Sequence, residues 1–345
     1  MIKLLDCTLR DGGWVNQFNF GNACMCNLVN TLSDALIEFV ELGYLDEKNG
    51  SRLGKTMYGD MDAIADNYSD KTAGTQIKKI VMIDYGKFPS EKIPLKKDSY
   101  VDGIRVCFHK KNMKEAIDYA GEIGDKGYLL FLQPMAITKY SHEDMMELIQ
   151  RMGQLNHVFA LYMVDSFGCM DDVELCHRLD LANEQLKKEI HLGIHLHNNR
   201  NLALLNAQTA CKWYHSKNIK RDLVIDASLS GLGKGSGNLV LEDFVSYLNA
   251  YEDKNYDRIR IRSFAENDIM PLRNEFTWGY SPIYELSAKY QTTPSYAKII
   301  CEDAGFSMNR LEVFLQNLPD DKRDSCDRVY VSDYIEHIRL NGERS

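Results

Sequence analysis

The sequence has no CxxC pair. Its nine cysteines are scattered, and only Cys24 and Cys26 come close together. Neither a zinc ribbon nor a disulfide framework is expected, and reduced thiols in a cytoplasm are. There is no basic excess either. The net charge is −9, which leaves no cationic face for a phosphate backbone and sets nucleic acid aside as a partner. No apolar run approaches the roughly 20 residues of a membrane helix. The opening MIKLLDCTLRDGG lacks the long apolar stretch and small-residue cleavage site of a signal peptide. No low-complexity segment interrupts the chain. No GxGxxG turn follows the first β-rich run, which weighs against a doubly wound dinucleotide-binding sheet.

What is present is an alternation. Runs of β character fall at 3–9, 39–45, 79–86, 103–109, 128–135, 158–166, 191–197 and 222–231. Stretches of helical periodicity lie between most of them. Residues 141–151 open with Ser141 as an N-cap and Asp144 three positions on. Residues 172–187 space Val173, Leu175, Cys176, Leu179 and Leu186 along one stripe, and 201–214 do likewise. Eight strands alternating with helices predict an α/β fold, a (β/α)8 TIM barrel, over residues 1–262. From 263 to 345 the pattern changes to short helices punctuated by Pro271, Pro282, Pro294 and Pro319. This predicts a helical C-terminal region that covers the barrel mouth or forms an interface.

Nearly every strand turns polar at its carboxyl end: Arg10 and Asp11, Glu41, Asp84, Arg105 and His109, Gln133, Asp165 and Ser166, His195 and His197, Asp226 and Ser228. In a barrel these ends converge on one mouth, where active sites lie. Strand ends near solvent are polar anyway, which accounts for one or two such residues but not for acids, arginines and histidines on nearly all eight.

The segment GIHLHNNRN (193–201) places His195 and His197 on one face of an extended strand. Either both imidazoles are satisfied in a polar pocket, or they hold a metal. Two further segments bear on the choice. TLRDGGW (8–14) sets Asp11 beside Gly12 and Gly13, where the backbone can crowd a ligand. SLSGLGKGSGNLVLED (228–243) is a glycine-rich loop, with Asn238–Leu239 expected to open a helix. One aspartate and two histidines leave half of an octahedral site open and suit Mn²⁺ or Mg²⁺, with Co²⁺ or Zn²⁺ as alternatives. Such an ion could accept a substrate with adjacent carboxylate and keto oxygens and stabilise an enolate, with Arg10 adding positive charge.

The combination of TLRDG, H-x-H and G-x-G-x-x-x-G-N resembles the DRE-TIM metallolyase, or HMG-CoA lyase-like, superfamily. Within it the chain is most similar to pyruvate aldolases of the 4-hydroxy-2-oxovalerate aldolase type, over roughly residues 1–250, with weaker matches at DGIRVCFH and VDSFG. The resemblance implies Asp11, His195 and His197 as metal ligands, with Asn238 as a further ligand in some members. It implies Arg10 as the enolate-stabilising cation, Ser166 near the substrate carboxylate, and Tyr284, or else Tyr280, reaching over the mouth from GYSPIY. Gly12, Arg105, Asp84 and Gln133 complete the expected substrate contacts; Asp84 with Arg105 could instead be an ion pair between neighbouring strands. A 2-oxo acid and an aldehyde are the expected small-molecule partners. A homo-oligomer is expected, and the resembled aldolases pair with an acylating aldehyde dehydrogenase.

There are departures. The aldolases carry a histidine three residues after the motif aspartate as base for the 4-hydroxyl, whereas this chain has Trp14. His109, Glu41, Tyr284 or a metal-bound hydroxide are the candidates to replace it, and Trp14 could wall a larger acceptor. Residues 228–238 contain no cysteine, which disfavours lyase activity on HMG-CoA. The competing readings are a Claisen-type synthase with an acyl-CoA donor and a barrel that binds metal and metabolite without turnover.

Overall fold

A computed structural model describes residues 1–340. Eight parallel strands close into a barrel: β1 (Ile2–Asp6), β2 (Phe39–Leu45), β3 (Lys78–Asp84), β4 (Gly103–Phe108), β5 (Leu129–Pro134), β6 (Val158–Asp165), β7 (His191–Leu196) and β8 (Leu223–Ala227). Each pairs with its sequence neighbour, and β1 closes the ring by pairing with both β2 and β8. The two-residue strand Met57–Tyr58 extends the sheet beyond the carboxyl end of β2. No helix among the described residues is long and apolar enough to cross a membrane.

The expected helices form, with adjusted ends. Ser141 and Asp144 make a reciprocal capping box at the start of His142–Met152. The helix Asp172–Gln185 buries Leu175 and Leu179 but leaves Val173 73 % exposed, so Val173 falls off the predicted stripe. The helix after the glycine loop begins at Leu241, not at Asn238–Leu239. Asn238 is taken instead into a backbone bridge with His197.

Side chains alternate across each strand, so the barrel interior is built in steps of two residues. Phe39 precedes Glu41, Phe131 precedes Gln133, Val224 precedes Asp226, and Gly193 precedes His195 and His197. Phe39, Phe131, Tyr162 and Val224 form an apolar layer inside the ring. Two residues further along, Glu41, Gln133 and Asp226 make the interior polar while Val164 stays with the apolar layer, and after that the mouth begins. The outer core, between strands and helices, continues through Ile261, Phe264, Ile269 and Trp278. Residues from Ile283 to Ile335 form a second core of their own. The expected division at 262–263 thus falls inside the helix Arg258–Phe264. Trp278 Nε1 donates to the carbonyl of Ser230 (3.0 Å), and Lys139 pairs with Asp324, which fastens the C-terminal region to the loops of the mouth.

Candidate metal centre

Asp11 is placed by a single helical turn. The chain leaves β1 at Asp6 and turns into Thr8–Asp11, so Thr8 and Leu9, expected at the end of the β-rich run 3–9, are helical, and Arg10 and Asp11 complete that turn. The turn is pinned from below. Asp6 accepts from the Thr8 amide (3.0 Å) and hydroxyl (2.7 Å), and Thr8 Oγ1 accepts from the Leu229 amide (2.8 Å). Gly12 serves packing: a Cβ there would lie 2.4 Å from the Thr8 carbonyl and 2.7 Å from Leu232. The glycine that makes room for the site is Gly233, where a Cβ would lie 2.5 Å from Asp11 Oδ2 and 2.3 Å from Asn238 Nδ2.

Asp11, His195 and His197 offer ligand atoms that all lie within 4.8 Å of one another, and all three residues are buried. His195 Nε2, His197 Nδ1 and Asn238 Oδ1 are buried without a hydrogen-bond partner. Orphaned acceptors in a buried cluster are costly unless something fills the site, and a cation does so. These donors fit a divalent ion. Burial alone would raise the Asp11 carboxyl, but Arg10 and then the two imidazoles outweigh it and hold it well below the ordinary range. Burial brings His197 down to about 4, so it is a neutral imidazole at pH 7, the form that can bind a metal.

The cluster is wired into the barrel by a string of charges. Arg10 NH1 donates to Asp11 Oδ1 (2.6 Å) and Arg10 Nε to Glu41 Oε2 (2.7 Å). Glu41 Oε1 faces Arg105 Nε at 3.0 Å. Arg105 reaches Asp226 with two bonds, of 2.6 and 3.2 Å, and Gln133 Oε1 with a third of 2.5 Å. Asp226 Oδ2 stands 3.0 Å from His195 Nδ1, which leaves Nε2 free for a metal. Arg105 is fully buried, with its guanidinium 4.3 Å from the Tyr162 ring centre. The alternative Asp84–Arg105 ion pair does not form: Arg105 pairs with Glu41 and Asp226 inside the barrel. Asp84 is raised by burial, with Arg10, Lys87 and Lys234 opposing. Asp226→Asn keeps the shape and removes the carboxylate that orients His195. Its expected effect is a 10- to 100-fold weaker metal affinity, read by titration of the apo protein with Mn²⁺.

The remaining candidates are dispersed around the mouth. Ser166 Oγ accepts from the Ala136 amide (2.8 Å), and the loop behind it is held by Asp165, which accepts from the Cys169 and Met170 amides. Glu41 is occupied by two arginines. The Tyr284 hydroxyl donates to Glu302 (2.8 Å), and burial followed by Glu302 pushes its phenol up. Tyr280 is 57 % exposed. His109 lies at the rim among Lys110, Lys139 and Asp324; burial lowers its pKa, with Asp324 opposing. Three residues were missed by sequence reasoning: Tyr44, Lys234 and the role of Asp226. Tyr44 packs edge-on to Trp14 and lies below the Arg10 guanidinium. Lys234 sits in the glycine loop, its amide 3.2 Å from Asp11 Oδ2 and its ammonium 5.7 Å from the Trp14 ring centre. The lysine inside GLGKGSGN was the available signal.

Fold and site together define a (β/α)8 barrel with a candidate metal triad at its carboxyl mouth. Comparison with known proteins narrows this class: the chain matches the HMGL-like family model over residues 104–267, and the superfamily resemblance stands on that match. The 4-hydroxy-2-oxovalerate aldolase of Pseudoalteromonas translucida is 26 % identical over 297 residues, covering 82 % of each chain. Among solved structures, the N-terminal domain of a candidate aldolase from Bacteroides vulgatus superposes with a TM-score of 0.72 at 23 % identity. It covers 89 % of this chain and 98 % of that one. The carboxyl transferase domain of Rhizobium etli pyruvate carboxylase, solved with pyruvate, reaches a TM-score of 0.72 at 14 % identity over 99 % of this chain and 60 % of that one.

Proposed function

We propose that this protein is a divalent-metal-dependent carbon–carbon lyase of the 4-hydroxy-2-oxovalerate aldolase kind, acting beside a 2-oxo acid through a pyruvate enolate. The observation that carries the reading is the buried Asp11, His195 and His197 cluster with its unpartnered ligand atoms and Arg10 beside it. The aldolase relatives support it. Asp11, His195 and His197 would hold Mn²⁺ or Mg²⁺, with Asn238 Oδ1 available as a further ligand. The ion when bound would supply Lewis-acid polarisation of the 2-oxo group.

Arg10 spends two of its three guanidinium nitrogens on Glu41 and Asp11. Its NH2 is buried and free, which leaves one charged donor for the enolate oxygen. In the synthetic direction, C3 of the enolate attacks the aldehyde carbon. The new C–C bond forms as the carbonyl π pair moves to oxygen, and that oxygen takes a proton. Cleavage is the reverse, with the 4-hydroxyl proton given up to a base. Of the side-chain candidates, Glu41 and Tyr284 are engaged, which leaves His109, at the rim of the mouth and lowered by burial. Ser166 is assigned to the carboxylate. Arg105 and Gln133 are assigned to the charged string under the site and not to substrate. We also assign the C-terminal region to covering the mouth.

The test is exchange of the pyruvate C3 protons in D₂O, followed by NMR. Exchange is expected with Mn²⁺ or Mg²⁺ and is lost in EDTA. No exchange from protein shown to hold its metal would overturn the reading.

A further inference from the structure

Trp14 stands where the aldolases keep their histidine, and what surrounds it is specific. Trp14 is 47 % exposed, an apolar wall left open at the mouth. Its edges rest on Phe18 and Tyr44, and its Nε1 reaches the Tyr44 hydroxyl at 3.4 Å, so its orientation is fixed. Across from it, the Lys234 ammonium hangs from the glycine loop. Within the described residues it has neither an ion pair nor a hydrogen bond, although the side chain is partly buried and close enough to Asp11 and Asp84 to feel both. The other cations nearby are mostly spent: Lys298 pairs with Glu302 and Asp303, and Lys139 with Asp324.

A cavity of about 350 Å³ opens between the 233–235 loop and the C-terminal helices, and its wall holds Trp14, the cations Lys234, Lys298 and Arg328, and the carboxylates Glu275 and Asp303. It is large for a two-carbon aldehyde. A partly desolvated ammonium without a counter-ion calls for an anion, and a fixed indole calls for a short carbon chain alongside.

We infer that this cavity receives the acceptor, and that the acceptor is an aldehyde carrying an anionic group. The anion pairs with the Lys234 ammonium, and the carbons between it and the carbonyl lie on Trp14. The inference rests on the lyase reading above and names the substrate class that reading leaves open. Gly233 and Lys234 of its wall lie against the Asp11 carboxylate, which brings the aldehyde carbon toward the enolate while its charged end stays at Lys234.

The test uses the metal-loaded protein with pyruvate. kcat/KM for aldol formation is compared for succinic semialdehyde and its neutral counterpart butanal, and for glyceraldehyde 3-phosphate against glyceraldehyde. The wild-type protein is expected to prefer one anionic partner by about tenfold or more, and the pair that shows the preference identifies carboxylate or phosphate. Lys234→Met should bring that ratio close to one, and Lys234→Arg should restore most of it. A general loss of function cancels in the ratio. No anionic preference in either pair, or a Lys234→Met ratio equal to wild type, would overturn the inference. Pyruvate exchange in the wild type separates the two claims. If exchange is present and the preference absent, only the acceptor assignment falls. If exchange is absent, calorimetric binding of succinic semialdehyde and of glyceraldehyde 3-phosphate decides: Lys234-dependent binding of either keeps the anion site, and its absence for both removes it.

Discussion

Asp11→Asn is expected to lose the metal and, with it, pyruvate proton exchange by on the order of 10³-fold, while the barrel stays folded. Three features make this the most damaging change to function. The carboxylate is the only anionic member of the triad. It is held ionised by Arg10, with the Asn238 amide helping, against the pull of burial. It also fixes Arg10 NH1 at 2.6 Å, so the guanidinium loses its aim as well as its partner. Asparagine keeps the size of the side chain and its contact with Asn238, and Glu41 still holds Arg10 through Nε, so the far-ultraviolet circular dichroism should not change. Metal content by mass spectrometry and the exchange rate are the two readouts. A variant with full metal occupancy would remove Asp11 from the ligand set.

Arg105→Met should do the opposite: it is expected to cost about 3–5 kcal/mol of stability, because it breaks a fully buried pair and strands a carboxylate. Arg105 bridges Glu41 and Asp226 and also holds Gln133, all inside the ring and away from solvent. With methionine there, Glu41 keeps only Arg10, and Asp226 keeps only His195. Urea unfolding measures the loss. The double variant Arg105→Met, Asp226→Asn should recover part of it, since the stranded charge is gone. If Arg105→Met unfolds at the wild-type midpoint but loses pyruvate binding, then Arg105 is a substrate contact and the structural role assigned here is wrong.

These two residues also mark what could be read from the chain. Asp11, His195 and His197 were legible because each sits at a strand end in a short motif, and the eight-strand alternation says where strand ends meet. The partners of Arg105 were not legible. Asp226 is 121 positions away, and only the closure of β1 onto β8 sets how the interior side chains face one another. Asp84, on the neighbouring strand, was one of two alternatives for Arg105, and the ion pair with it does not form. The late start of the helix at Leu241 has a similar cause: Asn238 is drawn into a bridge with His197 before the helix can begin. Lys234 was in plain view in the glycine loop, but a lysine among glycines has no direction until the loop is folded over Trp14.

The string from Asp11 through Arg10, Glu41 and Arg105 to Asp226 holds three carboxylates against two guanidiniums, and so one uncompensated negative charge in the barrel's interior. On the lyase reading proposed above, a divalent ion would turn that into one positive charge and a monoanionic 2-oxo acid would bring the string to zero, so metal and 2-oxo acid are expected to favour each other's binding, by the same factor whichever is added first. An anionic acceptor would upset this balance if it entered the string, and Lys234, outside it, meets that last charge separately.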